Sequence, residues 1–260
     1  MPVASPALER LRTHLHTTRL LGSIQSALYY DQNTVMPQEG AGWRGEQLAL
    51  LAGQLHERQS SEAYAELVSA VEAEVDGAAA PPLRRNMQLL RLELNRQRCL
   101  DPALVTRLAQ AQARGNALWQ EARRLNDFPS FAAALAELVS LRQEQARQLA
   151  AAEPVARSPW EVLAQPFEPE ISKARLQDLF SPLQRELPGL LDRARSLPGP
   201  SPQDGASVDL AEADQERLCA ELLDSWGYDA GRCQRSRSAH PFSCTVGPAD
   251  FRIKIGRAHV

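Results

Sequence analysis

The hydrophobic positions along most of the chain repeat with the period of an α-helix. The stretch "EQLALLAGQLHERQS" places Leu48, Leu51 and Leu55 at i, i+3 and i+7, which lie on one face of a helix. The stretch "DFPSFAAALAELVSLRQEQARQLAAAEP" carries a similar apolar stripe from Phe131 to Leu141. Because this periodicity continues to about residue 227, it predicts a mostly α-helical fold.

Proline and glycine indicate where these helices begin and end. Asp101 and Pro102 mark a break before a new helix, and Gly227 is placed to end the last long one. The stretch "PEISKARLQDLFSPLQRELPGLLDRARSLPG" contains internal prolines, so it predicts two shorter helices. The Pro/Gly/Ser-rich segment 197–207 predicts an exposed loop.

The period changes near the C-terminal end of the chain. In "HPFSCTVGP" the apolar positions alternate at Phe242, Cys244 and Val246, and "DFRIKI" alternates in the same way. Alternation of period two predicts two β-strands, here joined by a Gly-Pro turn into a β-hairpin. A two-stranded hairpin is only marginally stable by itself, so it needs a partner sheet or a helix to cover it, and no later residue of this chain supplies one.

Composition and charge limit the classes of molecule that the chain is expected to bind. The chain has 260 residues, a net charge of −3 and only 5 % aromatic residues, which is typical of a Leu/Ala-rich helical protein without a basic surface for nucleic acid. One Arg-rich stretch, "RRNMQLLRLELNRQR" at residues 84–98, leaves a nucleic-acid-binding alternative open. It lacks interleaved aromatic residues, and we therefore interpret it as a solvated helix face.

Targeting and redox features favour a cytoplasmic protein. No stretch approaches the roughly 18 apolar residues of a membrane-spanning helix. The N-terminal stretch "MPVASPALERLRTHLHTTRL" lacks the apolar core and cleavage site of a secretory signal. The four cysteines are scattered and form no C-x-x-C pair, as expected for a reduced protein.

Two histidine patterns resemble metal motifs only in part. His14 and His16 are two residues apart on a predicted helix and so point in different directions, which predicts a surface pair. The stretch "HERQS" begins like the zinc motif H-E-x-x-H, but Ser60 stands where the second histidine would be. We therefore expect His56 to be an ordinary surface residue of a helix.

The residues around the predicted hairpin are the remaining candidates for chemistry. The spacing of Cys233, His240 and Cys244 matches no common structural zinc pattern. Asp250 and Arg252 are two residues apart in a predicted strand, so their side chains point to the same side. Spacing alone leaves open whether they form a surface ion pair or a functional pair.

Several stretches of the chain, taken in order, resemble one known family. They are "LLGSIQSALYYDQNTVMPQEGAGWRGEQLALLAGQLHE", "NDFPSFAAALAELVSLRQEQA", "SPWEVLAQPFEPEISKARLQDLF", "HPF" at residues 240–242 and "DFRI" at residues 250–253. Together they resemble the thermostable zinc carboxypeptidases, peptidase family M32, with its W-D-x-x-T-x-M-P-x-x-G, D-F-x-x-F, H-P-F and D-x-R-x-T blocks. The resemblance runs over about residues 6–254.

Three positions depart from the family pattern. Tyr30 stands where the family usually has Trp, Glu170 replaces a usual Gly, and Lys254 occupies the place of the last Thr in D-x-R-x-T. The first change is conservative, whereas the third introduces a charge.

The resemblance implies a fold and a function. It implies a helical, saddle-like metallopeptidase body with a short β-hairpin near the C-terminus, of which residues 1–260 form the N-terminal portion of a single large domain. The intact protein would be a zinc metallocarboxypeptidase that releases C-terminal amino acids from peptides, and the family also suggests a homodimer. His240, Asp250 and Arg252 would lie on the substrate side of the site.

The family's H-E-x-x-H helix and its remaining metal ligands follow the D-x-R-x-T block. We therefore expect no catalytic residue and no metal ligand in this chain, and neither activity nor bound zinc in it alone. The stretch "IGRAHV" matches the translation of a common sequencing adapter, so we expect residues 255–260 to be a non-native tail. The alternative is a non-catalytic helical scaffold or interaction protein.

Overall fold

The computed structural model divides the chain into two compact units. The first comprises Met1–Ala156 and Gly231–Val260, and the second comprises Arg157–Ala230. The residues that the structure describes are 5–75, 81–152, 156–197, 211–237 and 241–255.

The first unit is built mainly from long helices, which confirms the predicted mostly α fold. The helices that the structure describes there are α1 (Pro6–Gln32), α2 (Ala41–Ser60), α3 (Glu62–Val75), α4 (Pro81–Arg98), α5 (Pro102–Leu125) and α6 (Phe128–Ala152). The side chain of Asp101 accepts a hydrogen bond from the backbone N–H of Ala103 and caps α5, at the predicted break. Within the described residues, no helix is long and apolar enough to cross a membrane.

Two apolar clusters hold these helices together. One lies where α3 packs against α1 and α4, and Leu11, Val68 and Leu94 are completely buried in it. The other joins α5 to α6 through Leu104 and Leu141. In addition, α2 packs against both α1 and α5, so the helices form a continuous wall in this unit.

Two histidines predicted to lie on the surface are at least partly buried. His56 is 3 % exposed, and its Nδ1 lies 3.2 Å from Oε1 of Gln97 on α4. His14 stacks on Tyr64 with ring centroids 4.6 Å apart. The surface interpretation of His56 was wrong because α4, which covers it, is about 40 residues away in the chain.

A small sheet completes the first unit. Its strands are β1 (Cys233–Arg237), β2 (Phe242–Gly247) and β3 (Asp250–Ile255) in the order β1-β3-β2. Strands β2 and β3 form the predicted antiparallel hairpin, and β1 pairs with β3 in parallel. The hairpin is covered by elements that precede it in the chain, which the sequence did not indicate: β1 adds a third strand, and α1 packs against β2.

The second unit contains α7 (Pro159–Ala164), α8 (Lys173–Ser196) and α9 (Glu212–Ser225). The prediction of two shorter helices before residue 197 was wrong, because Pro182 and Pro188 both lie inside α8. Each proline removes one backbone hydrogen bond, but the apolar positions continue in helical register past both. Gly227 has a φ of 78° just after α9, as predicted for a helix C-terminus.

Candidate functional site

Asp250 and Arg252 form an ion pair on the central strand of the sheet. Nε of Arg252 donates to Oδ1 of Asp250 at 2.8 Å, and a terminal nitrogen donates to Oδ2 at 2.7 Å. These hydrogen bonds lower the pKa of Asp250 and raise that of Arg252. The structure therefore brings two of the three predicted site residues together; His240 lies outside the described residues.

The sheet register places further polar side chains beside this pair. Arg252 is paired with Gln234 on β1 and with Cys244 on β2, and directly paired residues point to the same face. Residue 254 on β3 continues this face, together with its partner Ser236 on β1. The α1 side of the sheet therefore carries these polar residues on β1 and β3, with Phe242 of β2 opposite Lys254 on the same face.

Tyr30, near the end of α1, covers these polar residues. The phenol is 8 % exposed, and the guanidinium carbon of Arg252 lies 4.4 Å from the centre of its ring, a cation–π distance. Its hydroxyl oxygen lies 3.2 Å from Oγ of Ser236. The sequence indicated Tyr30 only as a departure from the family's usual Trp.

Several charges act on the Tyr30 hydroxyl. Burial raises its pKa, but hydrogen bonds with Lys254 and Ser236 and the positive charges of Lys254 and Arg252 outweigh that effect. The pKa of Tyr30 is therefore lower than that of an ordinary tyrosine.

Lys254 is the least expected member of the cluster. It is 5 % exposed, its ammonium donates a hydrogen bond to Oγ of Ser236, and Nζ lies 4.5 Å from the centre of the Tyr30 ring. Among the described residues, no carboxylate forms a salt bridge with it. Burying a cation whose partners are a hydroxyl and an aromatic ring costs free energy.

The stretch around Asp31 has a structural role. Arg44 donates 2.6 Å hydrogen bonds to Oδ2 of Asp31 and to the backbone oxygen of Leu28. The backbone oxygen of Asp31 also accepts from three N–H groups after α1, those of residues 34–36. These bonds fix the turn between α1 and α2, and so they fix the position of Tyr30 as well.

An open cavity of about 450 Å³ adjoins the sheet. It is lined by residues of α1, α2, α5, α6 and β2, among them Gln25, Gln32, Gln112 and Cys244. The side-chain N–H of Gln32 donates to the backbone oxygen of Ala113 at 3.1 Å, whereas its buried Oε1 has no hydrogen-bond partner among the described residues. The lining combines amide and aliphatic groups with the side chains of Ser26 and Tyr29, and it contains no charged side chain.

The described residues do not form a metal site. They contain no group of three or more His, Cys, Asp or Glu side chains that could hold a metal ion. Cys233 and Cys244 lie on the two outer strands and are separated by β3. The donor set therefore does not fit a catalytic metal, and no chemical step can be assigned to one held by these residues.

Comparison with known proteins gives one consistent family. Over residues 10–258 the chain matches the family described as Carboxypeptidase Taq (M32) metallopeptidase. It is 30 % identical over 258 residues to the Thermostable carboxypeptidase 1 of Thermus thermophilus, which covers 95 % of this chain and 50 % of the relative. The chain spans about half the length of the curated relatives it matches.

Solved structures share the fold. A crystal structure of BsuCP matches with a TM-score of 0.89 at 18 % identity, over 98 % of this chain and 50 % of that one. Metallocarboxypeptidase 1 of Trypanosoma cruzi matches with a TM-score of 0.75 at 25 % identity, over 96 % and 49 %. The helical wall and the small sheet are thus an arrangement found in roughly half of each of these proteins.

Proposed function

Because the chain belongs to the M32 family of metallocarboxypeptidases, we propose that it is the N-terminal part of an enzyme that releases single amino acids from peptide C-termini. The match over residues 10–258 carries this proposal. The relatives it resembles are themselves carboxypeptidases, and none of them favours the helical-scaffold alternative.

We assign the substrate side of the site to Asp250 and Arg252. A guanidinium has five N–H donors, and Asp250 accepts from two of its nitrogens, so donors remain for a substrate carbonyl or carboxylate. The Arg252 side chain is 25 % exposed, which leaves it accessible. Among the described residues, β3 pairs with a strand on each side, so the edges open to a peptide backbone there are those of β1 and β2.

We propose zinc as the metal of the intact enzyme, bound by ligands outside the described residues. The family is one of metallopeptidases, and a metal ion in such enzymes polarises the scissile carbonyl and activates water. We further propose a cytoplasmic location, which the absence of disulfides among the four cysteines supports, and a homodimer.

A chimaera tests the proposed activity. Residues 1–254 of this chain are joined to the part of the Thermus thermophilus relative that lies beyond the matched half. We expect release of C-terminal residues from N-blocked peptides, loss of that activity with a chelator, and recovery with zinc. A folded chimaera that binds zinc but releases no amino acid would contradict the proposal.

The chain by itself provides the complementary test. We expect no peptidase activity and no stoichiometric zinc after purification, because its described residues do not supply a ligand set. Elemental analysis that found one tightly held zinc per chain would show that this chain does contain the zinc ligands.

A further inference from the structure

Tyr30 occupies an unusual position on α1. Its neighbour Tyr29 is 51 % exposed, whereas Tyr30 is 8 % exposed. Both rings contact Phe242 edge-on, with centroids 6.1 Å and 6.3 Å away. Within the described part of the chain, the ring that lies against Arg252 is that of Tyr30 and not that of Tyr29.

The guanidinium of Arg252 is thereby held from two directions. Asp250 accepts two hydrogen bonds from it at 2.8 Å and 2.7 Å, which fixes the orientation of the guanidinium plane. The Tyr30 ring, 4.4 Å from the guanidinium carbon, limits its movement away from Asp250. A long side chain that would otherwise sample several rotamers is thus confined.

The Tyr30 hydroxyl fixes the ring in turn. It lies 3.2 Å from Oγ of Ser236 on β1, and it donates to Oε1 of Gln234 at 3.5 Å. These contacts join α1 to a strand about 200 residues later in the chain. The same phenol therefore contacts both the outer strand β1 and the central strand β3.

We propose that Tyr30 is a positioning residue that holds the Arg252 guanidinium in the orientation needed to bind the substrate. This inference rests on the proposed function, since it takes Arg252 to lie on the substrate side. The ring supplies the cation–π contact, and the hydroxyl supplies the anchor to β1. Tryptophan at this position would keep the cation–π contact with Arg252 and would change the anchor to β1.

The positioning is tested first without catalysis, in the full chain. Aromatic ring currents displace the NMR signals of nearby protons, so the Arg252 side-chain signals should be displaced upfield. We expect the displacement to be lost in Tyr30→Leu and retained in Tyr30→Phe and Tyr30→Trp. Tyr29→Leu is the matched control, because it removes a neighbouring ring that also contacts Phe242, and it should leave the Arg252 signals unchanged.

The link to substrate is tested in the chimaera described above. We expect Tyr30→Leu to raise KM by roughly three- to tenfold, the range of a partly desolvated cation–π contact, with a smaller change in kcat. Tyr30→Trp should restore most of the affinity, and Tyr29→Leu should behave like the parent. Recovery with Trp would not be expected if Tyr30 merely filled space.

Each outcome has one meaning. Arg252 signals that are the same in the parent and in Tyr30→Leu would overturn the positioning role. An unchanged KM for Tyr30→Leu in an active chimaera would overturn the link to substrate. A folded but inactive chimaera would contradict the proposed function, and the NMR comparison would still decide the positioning. Should Tyr30→Leu fail to fold, Arg252 signals without any upfield displacement in the parent chain would overturn the inference.

Discussion

Lys254 carries a charged side chain in a buried position. Its ammonium is buried beside the Tyr30 ring and donates to the Ser236 hydroxyl. Removing a charge from water without a carboxylate partner costs free energy. The M32 pattern has Thr at this position, which suits a strand and is small enough to avoid the penalty.

We therefore expect Lys254→Thr to stabilise the first unit by about 1 kcal/mol. Thermal or urea unfolding of the full chain measures the change. The matched control is Lys173→Thr, which alters the only other lysine, an exposed residue of the second unit. A loss of stability in Lys254→Thr would mean that the ammonium contributes more through Ser236 and Tyr30 than its burial costs.

At this scale, the sequence predicts relations between nearby residues better than those between distant ones. The shared side of Asp250 and Arg252 followed from strand alternation, and the structure confirms their pairing. The contact of Tyr30 with Arg252 could not be predicted, because it depends on how α1 packs against a strand more than 200 residues away. The burial of His56 was missed for the same reason.

At the scale of the secondary-structure elements, hydrogen bonds to the Glu161 carboxylate connect the starts of α7 and α8. Glu161 accepts hydrogen bonds from the backbone N–H groups of Lys173 and Ser158 and from the Ser158 hydroxyl. The bond from Lys173 is the largest of the causes that lower the pKa of Glu161 to about 2. The start of α7 is therefore joined to the start of α8 through an ionised group.

This arrangement predicts a defined pH dependence for the second unit. Because the folded pKa is lowered, the stabilisation is fully present above the ordinary glutamate value near 4.5 and is lost as the pH falls towards 2. Glu161→Gln should lower the Tm at pH 7 and make it less dependent on pH in that window. Thermal melts followed by circular dichroism measure this, with the exposed Glu168→Gln as the control.

The packing of α5 on α6 depends on a glycine. A Cβ at Gly115 would lie 2.9 Å from Cδ1 of Leu138, whereas one at Gly22 on α1 would meet nothing within 4 Å. Gly115→Val should therefore reduce the free energy of unfolding by about 1–3 kcal/mol through overpacking. Gly22→Val should change it by less than about 0.5 kcal/mol. Equal effects in urea unfolding would show that Leu138 moves aside without cost.

The elements that the sequence predicted poorly have identifiable physical reasons. Strand β1, with the sequence "CQRSR", has no apolar alternation, since its inward side chains are the polar Gln234 and Ser236 beneath Tyr30. Helix α8 continues through two prolines because its apolar stripe stays in phase across both. Periodicity reports the apolar burial of a segment, and β1 is held by backbone pairing and polar contacts instead.

At the scale of the molecule, α8 presents a set of exposed apolar side chains. Six large side chains of this helix are between 44 % and 52 % exposed: Leu179, Phe180, Leu183, Leu187, Leu190 and Leu191. They recur at helical spacing and so form one stripe. Contiguous apolar surface of this kind promotes association in water.

We expect the purified chain to associate in a concentration-dependent manner. Replacing Leu183, Leu187 and Leu190 with Gln should reduce the association and leave the helix content unchanged. Sedimentation velocity measures the first quantity and circular dichroism the second. As the control, Gln184→Ala, Arg185→Ala and Asp192→Ala should not reduce the association. A parent chain that stays monomeric across the concentration range would refute this expectation.

The parallel pairing of β1 with β3 also sets an order of events during synthesis. β1 leaves the ribosome before β2 and β3, yet its hydrogen-bonding partner is β3, the last strand of the sheet. Tyr30 is translated earlier still, and the residues that it contacts follow about 200 residues later in the chain. The N-terminal helices can pack while translation continues, but the face of α1 that meets the sheet stays unprotected until β3, more than 200 residues later, has emerged. In a nascent chain, the helix that later supports the candidate site therefore keeps one face open to chaperones and proteases until the sheet forms.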